Sequence, residues 1–391
     1  MRILYYHWNE FTAEDTIDCM TRLGHELVIF RCPWNLSDQD EHFEGRLEEA
    51  LREGTATPSF DMVFSWNFFP IISRVCQREG VPYVSWVFDS PHFPLASVDV
   101  INDCNRIYLF DRALVDLYRE KNVTTVSYAP LGVNSERLRR QMAALDGGSR
   151  VYEHEISFVG NLYNNEYNFY DLARELMPDK LGEYLDELMD KQLPYFDRDY
   201  LGDDKLLPAS MVRELSGYLR IDVSGGRYIF DEDILLRDIL KKKVTQLDRA
   251  VYLQMLGMEH KVDLYTKHDG PSLDNVCDMG EADYLERMPR IFHRSRINLN
   301  IMMRSIRSGM SLRVLDILGA GGFLLSSYTS ELAEYFEDGS ELVIFRNADE
   351  LRDKAAYYLK EEESRAAIAQ RGCIKALADF DYMKLLPRLL K

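Results

Sequence analysis

The densest anion chemistry in this chain lies between Ile297 and Ser327, in the run INLNIMMRSIRSGMSLRVLDILGAGGFLLSS. A strand pattern leads into a loop holding Arg304, Arg307, Ser308 and Gly309, and a helix pattern begins near Ser311. Ser311 is a favourable N-cap type, because its hydroxyl can accept a first-turn amide. Gly309 lets the backbone bend and approach a ligand closely. Free amides at a helix start, with the positive end of the helix dipole, make an anion site. Arginine forks add charge-assisted bonds worth roughly 1.5–3 kcal/mol each. Arg304, Ser308, Gly309, Met310, Ser311, Leu312 and Arg313 are thus candidates to cradle a diphosphate. Asp316, one helical turn beyond Arg313, suits a vicinal diol such as a ribose. The alternative for Asp316 is a simple ion pair with Arg313.

A second set of candidates could handle a proton. VSWVFDSPH places Asp89 and His92 after a strand pattern, where a carboxylate and an imidazole can act as base and orienter. His7 and Asn9 follow the first strand pattern and Asn67 the third, positions at which a parallel sheet presents groups to ligands. His7 joins the catalytic candidates; Asn9 and Asn67 are assigned to the acceptor. The pairs Asp197–Asp199 and Asp231–Asp233 read as solvated surface rather than a metal motif, and Lys241-Lys242-Lys243 as a solvated helix face. The sequence carries no Ser-His-Asp arrangement, zinc spacing or Walker A loop, and no metal or cofactor is expected.

These groups need a scaffold that gathers strand ends. Short β-branched and aromatic runs at Arg2–Tyr6, Glu26–Phe30, Asp61–Trp66, Tyr83–Phe88, Arg106–Phe110 and Val123–Ser127 alternate with helical patterns. Alternation of this kind implies right-handed crossovers and a parallel sheet covered on both faces. The pattern restarts at Glu155–Val159 and continues at Val262–Tyr265, Ile297–Ile301, Phe323–Ser326 and Glu341–Phe345. The expected fold class is α/β, with two Rossmann-like domains. The first covers residues 1–148, with Gly147, Gly148 and Ser149 as linker, and the second 149–375, with a helical insertion at about 171–258. A terminal helix at 376–391 is expected to pack back on the first domain.

Size and composition agree. A chain of 391 residues is long enough for two domains. Its net charge of -18 repels phosphate backbones, so nucleic acid is not an expected partner. The six cysteines are scattered, as in a reduced cytosolic protein. The apolar stretch Val63–Ile72 is broken by Ser65, Asn67 and Pro70, so no transmembrane segment is expected, and the location expected is cytoplasmic.

The tract YLERMPRIFHRSRINLNI together with RVLDILGAGGFLLSSYTSELAEYFEDGSELVIFRNADEL resembles the C-terminal domain of CgeB-like (spore maturation protein-like) glycosyltransferases, of the glycosyltransferase group 1 clan. VSWVFDSPHF, IYLFDRA and YAPLGVN are similar to their N-terminal domain. The resemblance implies the GT-B fold, two Rossmann-like domains facing across a cleft. It also implies transfer of a sugar from a nucleotide diphosphate donor, a UDP-sugar being expected, to an acceptor that is a protein, glycan or small molecule. Typical members carry two glutamates that touch the donor sugar and the ribose; here the matching positions are Ser308 and Asp316. They also carry a basic pair after the first strand of the second domain. Here that segment, FVGNLYNNEYN, keeps Gly160 and Asn161 as donor candidates and has no basic residue. A nucleotide-sugar epimerase or hydrolase, and a non-catalytic nucleotide-sugar-binding scaffold, stay open as alternatives.

Overall fold

The computed structural model describes residues 1–33, 40–145, 150–164, 168–219, 229, 232–267 and 270–391. The linker expected at Gly147–Ser149 and Asp231 of the Asp231–Asp233 pair lie outside them. The chain forms two compact units. One contains Met1–Asn134 and Asp379–Lys391, and the other runs within Ser135–Ala378.

In the first unit, β1 (Arg2–Tyr6), β2 (Glu26–Phe30), β3 (Met62–Trp66), β4 (Tyr83–Val87), β5 (Asn105–Leu109) and β6 (Val126–Tyr128) form one parallel sheet ordered β2-β1-β3-β4-β5-β6. β3 and β4 are buried at every position, as continuous apolar runs must be when helices cover both faces. Trp66 and Trp86 are register partners with rings stacked 4.6 Å apart. Tyr382, on the helix Tyr382–Leu389, packs on both indoles. That return segment docks through Val133, whose N–H donates to Phe380 O (2.9 Å) and whose carbonyl accepts from Tyr382 N (2.9 Å). The motif YAPLGVN therefore serves docking. At Gly132 a β-carbon would lie 2.7 Å from both Phe380 O and Leu385 Cδ1.

The second unit holds β7 (His154–Val159), β8 (Val262–Tyr265), β9 (Cys277–Asp278), β10 (Ser295–Asn300), β11 (Leu324–Ser327) and β12 (Val343–Phe345), parallel in the order β12-β11-β10-β7-β8-β9. β9, only two residues long, carries no sequence signal. Both sheets are doubly wound, and strand order reverses between β1 and β3 in one and between β7 and β10 in the other. Ligands of such sheets bind at the carboxyl ends of the strands flanking the reversal.

Two boundaries differ from the sequence expectation. The helix Ser135–Leu145 belongs to the second unit, because Arg137 and Gln141 both donate to Leu285 O (3.1 and 2.6 Å) and Ser135 Oγ to Leu377 O (3.0 Å). The insertion also ends before residue 258. Its helices build a separate core around Tyr170, Leu185, Leu207, Leu215, Leu240 and Val244. The 26-residue helix Glu232–Gly257 starts in that core, but its Tyr252, Leu253 and Leu256 join the sheet core with Ile156, Leu264 and Leu299. One long helix thus serves both layers.

Gly132→Ala should overpack the return segment and lower stability by about 1–3 kcal/mol, read as a fall in the urea midpoint at unchanged slope. An unaltered midpoint would contradict the tight docking seen at Phe380 and Leu385.

Candidate functional site

At the reversal of the second sheet, one turn of the helix Glu232–Gly257 holds both loops. Arg249 donates to Asn161 O, which follows β7, and to Ile301 O (2.9 Å), which follows β10. Its guanidinium lies over the rings of Phe158 (5.4 Å) and Tyr163 (5.0 Å), and burial lowers its pKa. A β-carbon at Gly160 would lie 3.3 Å from the Phe158 ring, tighter than ordinary contact. A guanidinium from a remote helix thus lies beside FVGNLYNNEYN, which has no basic residue of its own. No local spacing reveals it, because the contact joins positions 88 apart in sequence.

The same turn removes Arg304 from the list of anion ligands. Arg304 donates to Asp248 Oδ2 (2.6 Å) and Oδ1 (2.9 Å), to Leu193 O (3.1 Å) and to Tyr195 O, and it stacks 3.7 Å over Phe196. Its backbone N–H donates to Thr245 Oγ1 (2.9 Å). The fork is spent, so Arg304 is a structural brace. Ser311 occupies the N-cap position in extended backbone, but its side chain makes no capping bond to the helix Leu312–Gly319. Met310 and Leu312 are buried in the core, leaving only their backbone for a ligand. Arg313 is partly exposed and donates to Asp316 Oδ2 (3.2 Å), while Tyr284 OH donates to Asp316 Oδ1 (3.0 Å). Asp316 is thus engaged on both oxygens, the pairing alternative raised by its spacing.

Ser308 lies against a carboxylate. Ser308 Oγ donates to Glu331 Oε1 (2.7 Å), and Glu331 N–H donates to Ser308 O (3.0 Å). Glu331 is buried on the helix Ser330–Tyr335, in the turn after β11. One surface expectation changes, that of the lysine run, while Asp197 and Asp199 are exposed. Lys241 is buried and pairs with Asp199 Oδ2 (2.5 Å), and Lys243 pairs with Asp171 (2.6 Å). Asp197 and Asp199 line a cavity of about 270 Å³ with Arg198, Arg307 and Thr329.

The first unit gathers its candidates in one cavity of about 620 Å³, lined by His7, Asn9, Asn67, Asp89 and His92. It opens at the reversal between β1 and β3. Asn9 (φ 71°) and Asn67 (φ 60°) adopt left-handed backbone, which costs an ordinary residue energy unless its surroundings enforce it. Buried Glu10 enforces the first loop, accepting from Tyr5 OH (2.5 Å) and Trp8 N (2.9 Å). Asn67 is buried and engaged at both ends of its amide: its Oδ1 accepts from Phe88 N (3.1 Å) and Asp89 N (3.3 Å), and its Nδ2 donates to Asp89 Oδ2 (2.7 Å). It is a positioning residue for Asp89. The Asp89 carboxylate reaches solvent through the cavity, but the surrounding walls raise its pKa against the Asn67 bond. Burial lowers the His92 pKa to about 4, and its Nε2 bonds Phe68 O (2.7 Å). His7 Nδ1 accepts from Asn9 N (3.0 Å).

Residues 245–391 match the family described as glycosyl transferase-like. No curated protein matches the chain. Among solved structures it is similar to Anabaena Alr3699/HepE in complex with UDP and glucose, with TM-score 0.51 and 11% identity over 100% of this chain and 98% of that one. It is also similar to a glycosyltransferase from Rickettsia africae ESF-5, with TM-score 0.50 and 11% identity over 99% and 96% of the two chains. Sucrose-phosphate synthase from Thermosynechococcus elongatus gives TM-score 0.50 and 10% identity over 100% and 97%. At these identities the likeness is one of fold. The fold is that of the GT-B glycosyltransferases, two parallel six-stranded sheets with helices. Among the described residues, no helix is long and apolar enough to cross a membrane.

Two measurements check the site. Asp248→Ala leaves Arg304 buried without its partner and should cost about 3–5 kcal/mol; adding Arg304→Met should restore a large part of that loss. A lowered His92 pKa means the unfolded state takes up a proton first, so stability falls as pH drops from 6.5 towards about 4. His92→Gln should flatten that slope in urea titrations, and an unchanged slope would remove the assignment.

Proposed function

We propose that this chain is a metal-independent glycosyltransferase of the CgeB-like kind that moves a sugar from a UDP-sugar to an acceptor hydroxyl. The observation that carries the reading is the convergence, at one sheet reversal, of a glycine turn, an uncapped helix start and two guanidinium groups, within or beside a segment that matches a glycosyl transferase-like family. The diphosphate would lie against Gly160, Asn161, the amides of Gly309–Arg313 and the side chain of Arg313, with Arg249 supplying further positive potential from beneath. Asp316 would meet the ribose, exchanging its Arg313 bond for a diol. Ser308 with Glu331 would contact the transferred sugar.

The first unit would hold the acceptor, with Asp89 as base, His92 and His7 as the further catalytic candidates, and Asn9 at the acceptor. The acceptor hydroxyl gives its proton to Asp89, its oxygen bonds the anomeric carbon, and the bond from that carbon to the β-phosphate oxygen breaks. The electron pair leaves on UDP, where backbone dipoles and Arg313 stabilise the developing charge.

Arg313→Ala should weaken UDP by about tenfold or more in isothermal titration, and equal affinity in both proteins would remove the diphosphate assignment. Asp89 must be ionised to act as base, so kcat/KM should fall as pH drops through a pKa above the ordinary carboxylate range. Asp89→Asn should lose about 100-fold to 10,000-fold in kcat with UDP affinity unchanged. It should also be more stable than the wild type at neutral pH, because ionising a raised carboxyl opposes folding.

A further inference from the structure

The cavity of the first unit has aromatic walls whose polar handles are already used. The Trp8 Nε1 donates to Trp66 O (3.0 Å) and the Tyr6 hydroxyl to Cys32 O (3.2 Å). Asn67 spends both ends of its amide on Phe88 and Asp89, and the His92 Nε2 is on Phe68 O. Phe69 stands edge-on to Tyr6, Trp8 and His92, which sets these rings at steep angles around one space. The Trp8 ring is stacked on Phe88 at 22°, so the indole is held as a flat wall. Phe93, also at the cavity, keeps 41% of its surface exposed, so its ring offers apolar surface to the space. Among the described residues, Asp89 is the one acidic group that lines this space. Its Oδ2 holds Asn67, and Oδ1 bonds no described residue. Arg31, Asn9 and Asp89 are the exposed polar residues among the described lining.

A carbohydrate acceptor presents hydroxyls all round and needs a matching ring of donors and acceptors, since a buried polar group left unmade costs free energy. Eight of the fourteen described lining residues are aromatic, proline or cysteine side chains, which offer few. A flat apolar ring needs only faces and edges to pack on. We infer that the cavity of the first unit takes a planar aromatic alcohol, its ring between Trp8, Phe69 and Phe93 and its hydroxyl at Asp89. This inference rests on the reading of the first unit as the acceptor side.

The test titrates 2-naphthol, maltose and UDP separately into the full chain, as wild type and as Phe93→Ala, a change at an exposed side chain that leaves the core intact. Saturable binding of 2-naphthol is expected, about tenfold weaker in Phe93→Ala, with UDP affinity equal in both proteins and no heat from maltose. Trp8→Leu, which keeps an apolar wall but removes the indole, should weaken 2-naphthol similarly. The inference is overturned if maltose binds and 2-naphthol does not, if neither binds, or if 2-naphthol binds both Phe93 forms equally. Binding of 2-naphthol without binding of UDP would sink the donor reading alone. Binding of UDP without 2-naphthol would sink this inference alone.

Discussion

The buried pair of Asp248 and Arg304 is the constraint on which the second unit's site depends. Two charges taken out of water stay paired because separating them would strand an uncompensated ion in the interior. Asp248 is fully buried and holds both Nε and Nη2 of Arg304, and the next residue, Arg249, ties the ends of β7 and β10 to the same helical turn. Thr245 adds a bond to the Arg304 backbone. The loops that would meet a diphosphate are therefore set by a helix whose first half belongs to the inserted core. This gives the insertion a physical role: it anchors the turn that shapes the loops.

The first unit solves a similar problem without an ion pair. Two asparagines in left-handed backbone sit at the ends of β1 and β3, and each is held by buried polar bonds, through Glu10 in one loop and through the Asn67 side chain itself in the other. Strain retained at the reversal of a parallel sheet fits a surface shaped for a ligand rather than for stability. Asp89 and His92 move in opposite senses because burial disfavours whichever form is charged: it raises the carboxyl and lowers the imidazole. In both groups the shift favours the uncharged form.

Both sheets and nearly all their strands were legible in the sequence, because a strand buried on both faces must be a continuous apolar run. The exceptions are instructive. β9 is two residues long, too short for periodicity to register. Residues 135–145 fall with the first unit when Gly147, Gly148 and Ser149 are read as the linker, but their side chains bond Leu285 and Leu377 far along the sequence. The lysine run looked like a solvated face by composition, yet Lys241 is buried against Asp199, a partner 42 positions away.

What the sequence determined by itself was periodicity and local chemistry. It showed two doubly wound sheets, a glycine-bearing loop before a helix start, and polar groups after β1, β3 and β4 that do come together in one cavity. These follow from alternation along the chain, a property of neighbours. Tertiary structure alone decided which charges face a ligand and which brace the scaffold. It consigned Arg304 to Asp248, brought Arg249 to the glycine turn and set Glu331 beside Ser308. The reason is that a charge can be buried only where a partner or a backbone carbonyl waits, and those partners are chosen by packing between elements distant in sequence.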